Sequence, residues 1–356
     1  MITINEKYMQ RCIQIARNGA GYTAPNPMVG AVLVDKDGLI IGEGFHRCCG
    51  GPHAEVNAIT AVKDESLLKN ATLYVSLEPC SHYGKTPPCA EFIIHKQIPR
   101  VVVGCLDPFP EVAGRGVRML RNAGVEVVTG ILEKETRELN LAFMTMQEKH
   151  RPYVILKWAQ SADGYIDILR ENNEIPPVVL SSSRTRRMVH RLRAESAAIL
   201  VGTHTALLDN PSLTVRSWDG KNPVRVVIDR TLKIPAHHHL FDDSAPTLVL
   251  TEKKQPNKIG NNIEYIQTNF SSLIPQIMEI LYTKKLNSLI VEGGTHTLEQ
   301  FLASPYWDEA RIETSPVFLG SGIKAPELRK SYRMEQITVS KENDGHILQR
   351  FKRVEE

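Results

Sequence analysis

A histidine, a glutamate and two cysteines carry the clearest chemistry in this chain. They lie in Gly51-Pro52-His53-Ala54-Glu55 and in Glu78-Pro79-Cys80-Ser81-His82-Tyr83-Gly84-Lys85-Thr86-Pro87-Pro88-Cys89. One imidazole and two thiolates make a three-ligand zinc site, and three ligands leave the fourth tetrahedral position open to water. Zinc lowers the pKa of such a water from 15.7 towards roughly 7, which gives a hydroxide nucleophile at neutral pH. A neighbouring carboxylate, Glu55, can take and return the protons. The rival reading is a closed structural site with Cys48 or Cys49 as fourth ligand. That arrangement leaves Glu55 without a task.

His-x-Glu followed by Pro-Cys and a second Cys is the signature of zinc deaminases. The reaction it points to is hydrolytic removal of an amino group from a heterocycle. Nucleobase deaminases commonly place two residues between the cysteines, whereas eight intervene here. The longer interval, with Ser-His-x-Gly-Lys-Thr-Pro-Pro inside it, resembles the deaminase half of the bifunctional riboflavin-biosynthesis family RibD. Pro25-Asn26-Pro27-Met28-Val29-Gly30 is similar to that family's Pro-Asn-Pro-x-Val-Gly. The resemblance implies one zinc on His53, Cys80 and Cys89, with Asn26, Lys85 and Asp107 as substrate contacts; His82 either binds substrate as well or caps the loop. An amide suits the donor–acceptor edge of a pyrimidine, and a lysine suits a ribose phosphate. Where the family has Asp-Pro-Asn-Pro, this chain has Asp107-Pro108-Phe109-Pro110, and a phenylalanine cannot make an asparagine's hydrogen bonds.

The elements that must position these residues alternate between helix and strand. Thr3 and Glu6 have the letters of a capping box, opening a helix with apolar positions at Tyr8, Met9, Cys12, Ile13 and Ala16. Residues 28–34 and 39–42 read as a hairpin. His53 opens a helix to about residue 62, 71–77 is a strand, and the stretch from Cys80 to Cys89 begins the next helix. A strand over 101–105, a helix over 116–122, a strand over 125–128 and one helix over 131–148 complete an α/β/α sandwich. The resemblance gives this half a cytidine-deaminase-like fold. Ligands at helix N-termini sit where backbone N–H groups favour thiolate.

Length and composition set the outer bounds. A chain of 356 residues predicts two domains, placed here at 1–147 and 151–356, with the charged stretch ending at Pro152 between them. A net charge of +3 gives no reason to invoke nucleic acid or membrane. No apolar run reaches ~18 residues and the N-terminus lacks a signal-peptide pattern. Six cysteines in so long a chain do not make a disulfide framework, so a reducing cytoplasm is expected.

In the second half, Arg151-Pro152-Tyr153-Val154-Ile155-Leu156-Lys157-Trp158-Ala159-Gln160-Ser161-Ala162-Asp163-Gly164 is a buried strand running into a polar turn. It resembles the opening of the family's reductase domain, which has a dihydrofolate-reductase-like α/β fold. A basic amphipathic helix follows over 183–193, with Arg184, Arg186 and Arg187 read as its solvated face. A strand over 197–202 and a long loop from Thr203 to Arg216 come next. Strands over 223–230, 247–250 and 288–291 lead to Glu292-Gly293-Gly294-Thr295, a glycine turn opening a helix. Such a turn lets backbone N–H groups approach a pyrophosphate. Gly320-Ser321-Gly322 lacks a following βαβ unit and reads as a loop.

The resemblance implies an NADPH-dependent reduction of a ribosyl group to ribityl, with Lys157 and Asp209 catalytic. It places Ala159, Thr205, Asp209, Arg230, Gly294, Thr295, His296, Thr297, Leu298, Glu299 and Gln300 on the cofactor. Arg193, Leu213, Arg216 and Glu292 fall to the substrate, the two arginines to its phosphate. A pyrimidine ribose-phosphate substrate and a homo-oligomer, dimeric or higher through the second domain, complete the expectation. One departure is large. After Asp163-Gly164 the family carries a Gly-x-Ser-x-Trp-Ile-Ser-like segment, and residues 165–180 stand here without that serine or tryptophan. It motivates an alternative in which only the deaminase is active. A polynucleotide or nucleoside deaminase would need a basic, aromatic channel, which 6% aromatic content does not support.

Overall fold

In the computed structural model, residues 3–83, 87–109, 113–254, 262–328 and 333–354 are described. The chain separates into two compact units, Met1–His150 and Arg151–Glu356.

The first unit runs α1 (Ile4–Ala16), β1 (Gly30–Val34), β2 (Ile40–Phe45), α2 (Ala54–Thr60), β3 (Thr72–Leu77), α3 (Cys89–His95), β4 (Arg100–Cys105), α4 (Arg115–Asn122), β5 (Glu126–Thr129), α5 (Glu133–Leu139) and α6 (Leu141–Lys149). Its sheet has the order β2-β1-β3-β4-β5, antiparallel through β2-β1-β3 and parallel from β3 to β5. Side chains alternate across a strand, and both faces are apolar. Val32, Val34, Tyr74 and Val102 pack on Tyr8, Met9, Cys12 and Ile15 of α1. Ala31, Leu33, Leu73, Val75, Val101 and Val103 meet Ala58, Ala90, Ile93 and Leu120 of α2, α3 and α4 on the other side. The helix at the N-terminus is closed by the expected reciprocal cap between Thr3 and Glu6.

Two expectations fail locally, for visible reasons. The helix after Cys80 starts only at Cys89, so Cys80 lies on the loop leaving β3. The single helix expected over 131–148 is two, broken at Asn140. That residue's side chain accepts the Met28 N–H at 2.8 Å and donates to the Met28 carbonyl at 2.9 Å. Asn140 thereby ties down the Pro25-Asn26-Pro27 loop.

The second unit runs β6 (Tyr153–Gln160), β7 (Tyr165–Asp167), α7 (Ser183–Ala194), β8 (Ala198–Val201), α8 (Thr203–Asp209), β9 (Val224–Ile228), β10 (Thr247–Thr251), β11 (Ile263–Gln267), α9 (Leu273–Thr283), β12 (Ser288–Val291), α10 (Thr295–Ala303), β13 (Glu309–Thr314), β14 (Ile323–Lys324), β15 (Met334–Lys341) and β16 (Ile347–Arg353). Its main sheet is β11-β10-β9-β8-β12-β6-β13-β16-β15, parallel from β11 to β13 and closed by an antiparallel ribbon. Ile277, Met278 and Leu281 of α9 and Leu298, Phe301 and Leu302 of α10 cover Val154, Leu156, Leu200, Val226 and Leu289. The segment read as a loop from Thr203 begins as α8, which ends where Asn210 turns left-handed at φ 40°. The stretch after Gly320-Ser321-Gly322 forms β14, paired antiparallel with β7.

Helix α2, which carries His53 and Glu55 at its start, lies directly on β2 because Gly42 and Gly44 leave room. A Cβ at Gly44 would stand 2.3 Å from the Ala58 nitrogen, inside the α2 backbone. Gly44→Ala is therefore expected to cost the first unit about 1–3 kcal/mol. It should lower the urea midpoint of that unit alone; an unchanged midpoint contradicts the packing.

Candidate active sites

In the first unit, sheet and helices bring three ligand-type residues from separate stretches to one point. His53 is the N-cap of α2, Cys80 leaves β3, and Cys89 is the first residue of α3. Their donor atoms all lie within 4.8 Å of one another. The His53 Nδ1 stands 3.5 Å from the Cys80 Sγ and 3.3 Å from the Cys89 Sγ. Zn–S bonds of about 2.3 Å and Zn–N bonds of about 2.0–2.1 Å give tetrahedral S···N edges of roughly 3.5 Å. The donor set thus fits one zinc ion in chemistry and in spacing. Cys48 and Cys49 are exposed and lie outside the cluster. Among the described residues no fourth His, Cys, Asp or Glu joins it.

Electrostatics favour a cation at that point. Hydrogen bonding from Cys89 and His53 draws the Cys80 thiol down to about 4, against desolvation. The Cys89 thiol is pushed up, first by the proton it shares with Cys80 and then by burial. The backbone N–H of Cys89 donates to the Cys80 Sγ at 3.3 Å, so the start of α3 holds that sulfur although Cys80 is not helical. Glu55 is 3% exposed, and burial with the field of Cys80 raises its carboxyl to about 7. A buried carboxyl poised at that value beside the cluster suits proton transfer.

Around this centre the structure places the remaining candidates unevenly. Asp107 is half-buried; its N–H donates to Glu78 Oε2 at 3.2 Å, and its carboxylate accepts the Phe109 N–H at 2.9 Å. Burial raises the Asp107 carboxyl, the Phe109 N–H opposes that rise, and the charges of Glu78, His82 and Cys80 also act on it. Asn26 is half-buried on the loop held by Asn140, and His82 is exposed on the Cys80 loop. Lys85 lies outside the described residues. Phe109 contributes its backbone to the Asp107 turn while its ring is exposed.

Three supporting residues escaped the sequence reading. Glu78, buried, accepts N–H groups from Asp107, Gly114 and Val117, and so ties Asp107 to the start of α4. Its place in the Glu-Pro-Cys triplet was the one available signal. His46 is buried, with its ring edge-on to His53 at 5.5 Å and Nδ1 3.1 Å from the Pro52 carbonyl. A lone histidine carries no such signal in sequence, and neither does Asn140.

In the second unit, parallel strands open their carboxyl ends onto a cavity of about 1590 Å³. Ligands of open α/β sheets bind at that edge. Lys157 and Ala159 come from β6, Thr203, Thr205 and Asp209 from α8, Arg230 from the end of β9, and Glu292 from the end of β12. Gly293, Gly294, Thr295, His296, Thr297, Glu299 and Gln300 line it from the glycine turn and α10, and Arg193 and Arg216 from α7 and the loop beyond α8. Arg186, read as solvated, also reaches the cavity wall. Leu298 points into the core, fully buried, and Leu213 is buried at φ 55° outside the cavity lining.

Several of the charges here are already paired. Arg193 Nη2 donates to Glu292 Oε2 at 2.6 Å, and Nη1 to the Thr214 carbonyl at 3.3 Å. Burial would raise the Glu292 carboxyl, but Arg193 and Lys157 outweigh it and hold the group below its ordinary value. Glu292 Oε1 is buried with no protein partner, an acceptor left for a ligand. Arg230 pairs with Glu252 at 2.8 Å and lies over the Phe270 ring at 5.5 Å. The Gly294 N–H, expected to face a pyrophosphate, donates instead to Thr205 Oγ1 at 2.9 Å. Helix α10 begins without a side-chain cap, which leaves its first-turn N–H groups to meet an anion. The fit to a dinucleotide is thus good at the helix start and along the lining.

Known proteins share this two-part arrangement. The cytidine and deoxycytidylate deaminase zinc-binding region matches residues 2–105, and the RibD C-terminal domain matches residues 152–347. The riboflavin biosynthesis protein RibD of Aquifex aeolicus is 39% identical, over 97% of this chain and 97% of its own. The Escherichia coli RibD is 35% identical over 89% of each chain. A crystal structure of a diaminohydroxyphosphoribosylaminopyrimidine deaminase/5-amino-6-(5-phosphoribosylamino)uracil reductase from Thermotoga maritima superposes with a TM-score of 0.89, at 36% identity and 99% coverage of both chains. Acinetobacter baumannii RibD gives 0.87 at 33% identity, with both chains fully covered. With relatives this similar along almost its whole length, the chain belongs to the RibD family of riboflavin biosynthesis proteins.

Proposed function

We propose that this chain catalyses two successive steps on one pyrimidine ribose phosphate. The first unit deaminates 2,5-diamino-6-ribosylamino-4(3H)-pyrimidinone 5′-phosphate, and the second reduces the ribosyl group of the product to ribityl with NADPH. The observation that carries the reading is the spacing of His53, Cys80 and Cys89 beside a buried carboxyl that is not one of them.

Zinc held by those three residues supplies a Lewis acid that makes water nucleophilic at neutral pH. The protein's share is proton handling and orientation. Glu55, at about 7, takes one proton from the attacking water and gives it to the ring nitrogen, then takes the second from the new hydroxyl and gives it to the amine, which leaves as ammonia. Asp107 and Asn26 read the pyrimidine edge, Lys85 meets the phosphate, and His82 closes the rim.

In the second unit NADPH supplies the hydride. The α10 start, Thr205, Ala159 and the lining from His296 to Gln300 orient it, with Arg230 at the far end for its additional phosphate. Leu298, in the core, braces α10 behind that wall. Lys157 and Glu292 face the sugar, where the ammonium polarises the reacting carbon's oxygen and the unpartnered Oε1 of Glu292 accepts from the substrate. Asp209 holds the cofactor's reacting end. Arg216, with Arg193 behind it, neutralises the substrate phosphate. The 165–180 segment folds into the cavity wall through Asp167, Arg170 and Val178, which supports an active reductase over a deaminase-only chain.

No helix among the described residues is long and apolar enough to cross a membrane, and free thiols suit a reducing cytoplasm. We also place a homodimer contact on the second unit, where the edge strand β15 exposes Ile337 and Val339 at 42% and 57%. Light scattering should return twice the chain mass; a monomer at micromolar concentration would refute that contact.

Mass analysis of products with and without NADPH tests the two activities. Wild type should yield the amino-to-oxo product without cofactor and its two-hydrogen reduced form with it. Glu55→Gln should lose deamination by about 10²–10⁴-fold while keeping zinc and reducing supplied intermediate normally. Deamination unchanged in Glu55→Gln would overturn the assignment.

A further inference from the structure

The segment 165–180, where this chain departs from its family's pattern, is organised around one guanidinium. The Arg170 side chain is 3% exposed. Its Nε donates to Asp167 Oδ2 at 2.8 Å, and its Nη1 to the carbonyls of Ile175 and Leu208, each at 3.2 Å. Nη2 pairs with Asp209 Oδ1. Asp167 is held in turn by the N–H groups of Ile168 and Val178, both at 3.0 Å, and by the pairing of β7 with β14. Thr205, one turn before Asp209 on α8, accepts the Gly294 N–H at the glycine turn. Helix α8 is thus fastened at one end to the glycine turn and at the other, through Arg170, to the 165–180 segment.

The anchors decide what Arg170 is for. Asp167, Leu208 and Asp209 all line the cavity rather than the core. Two carboxylates facing one another there repel unless a cation lies between them, and a planar fork of donors can serve both at once. A lysine at this position would bring the charge without the fork. Burial raises the Asp209 carboxyl and Arg170 opposes that rise, so the guanidinium favours the ionised form.

We propose that Arg170 is a positioning residue of the reductase. Acting through Asp209 and the Leu208 carbonyl, it sets the distance between the glycine-turn wall and the 165–180 wall, and with it the seating of the nicotinamide nucleotide. The inference rests on reading the second unit as an NADPH reductase.

Steady-state reduction of the deaminated intermediate, with deamination by the same sample as internal control, tests it in a double-mutant cycle. Arg170→Met should raise KM for NADPH about tenfold or more, with deamination and zinc content as in wild type. In an Asp209→Asn background the same change should shift KM less than about twofold, because the carboxylate it positions is no longer charged. Arg170→Lys should fall between. An Arg170→Met enzyme within about twofold of wild type, or effects that simply multiply with Asp209→Asn, would overturn the proposal. If circular dichroism shows Arg170→Met unfolded, the Arg170→Lys pair is read by the same criteria. Wild type without any NADPH turnover would remove the reductase reading itself, a result distinct from an active enzyme indifferent to Arg170.

Discussion

Two sulfurs and an imidazole nitrogen within 4.8 Å of one another are a donor set that a single dication can bind at once. One sulfur alone can shed its proton cheaply; the second is held protonated by the first. A dication removes that conflict, and metal binding is then folding free energy for the loops that carry the ligands. The first unit is arranged to make the meeting possible. Gly42 and Gly44 let α2 come down on β2, the Cys89 N–H turns the Cys80 sulfur inward, and Glu78 anchors the Asp107 loop. Each link is short, and the site is their sum.

The second unit meets a different demand. Its cavity must accept two anionic molecules while keeping Glu292, Asp167 and Asp209 on its walls. It does so by giving each carboxylate a guanidinium: Arg193 for Glu292, Arg170 for the two aspartates. Breaking a buried pair by removing one partner is costly, of order 3–5 kcal/mol. Arg193, read in sequence as a phosphate ligand, is instead engaged by Glu292 and the Thr214 carbonyl.

The sequence was most legible where function depends on residue type at short range. His53, Cys80 and Cys89 come from motifs that name their own chemistry, and the alternation of apolar strands and helices yields both layered units. Legibility ended where a single side chain serves a distant backbone. Asn140 breaks a helix to hold Met28, 112 positions away. Glu78 gathers amides from as far as Val117, and Arg170 joins β7 to the end of α8 across 39 positions. Nothing in local periodicity announces such pairings. The same holds for α8, where propensity over Thr203 to Asp209 is ordinary and the packing beside β9 decides.

The most direct test is anomalous diffraction from crystals of the purified protein at the zinc absorption edge. The account predicts one peak per chain in the first unit, bonded to the His53 nitrogen and to both the Cys80 and Cys89 sulfurs, with solvent as the remaining ligand beside Glu55. A peak whose fourth ligand is another protein side chain, or no peak among these residues, would contradict it.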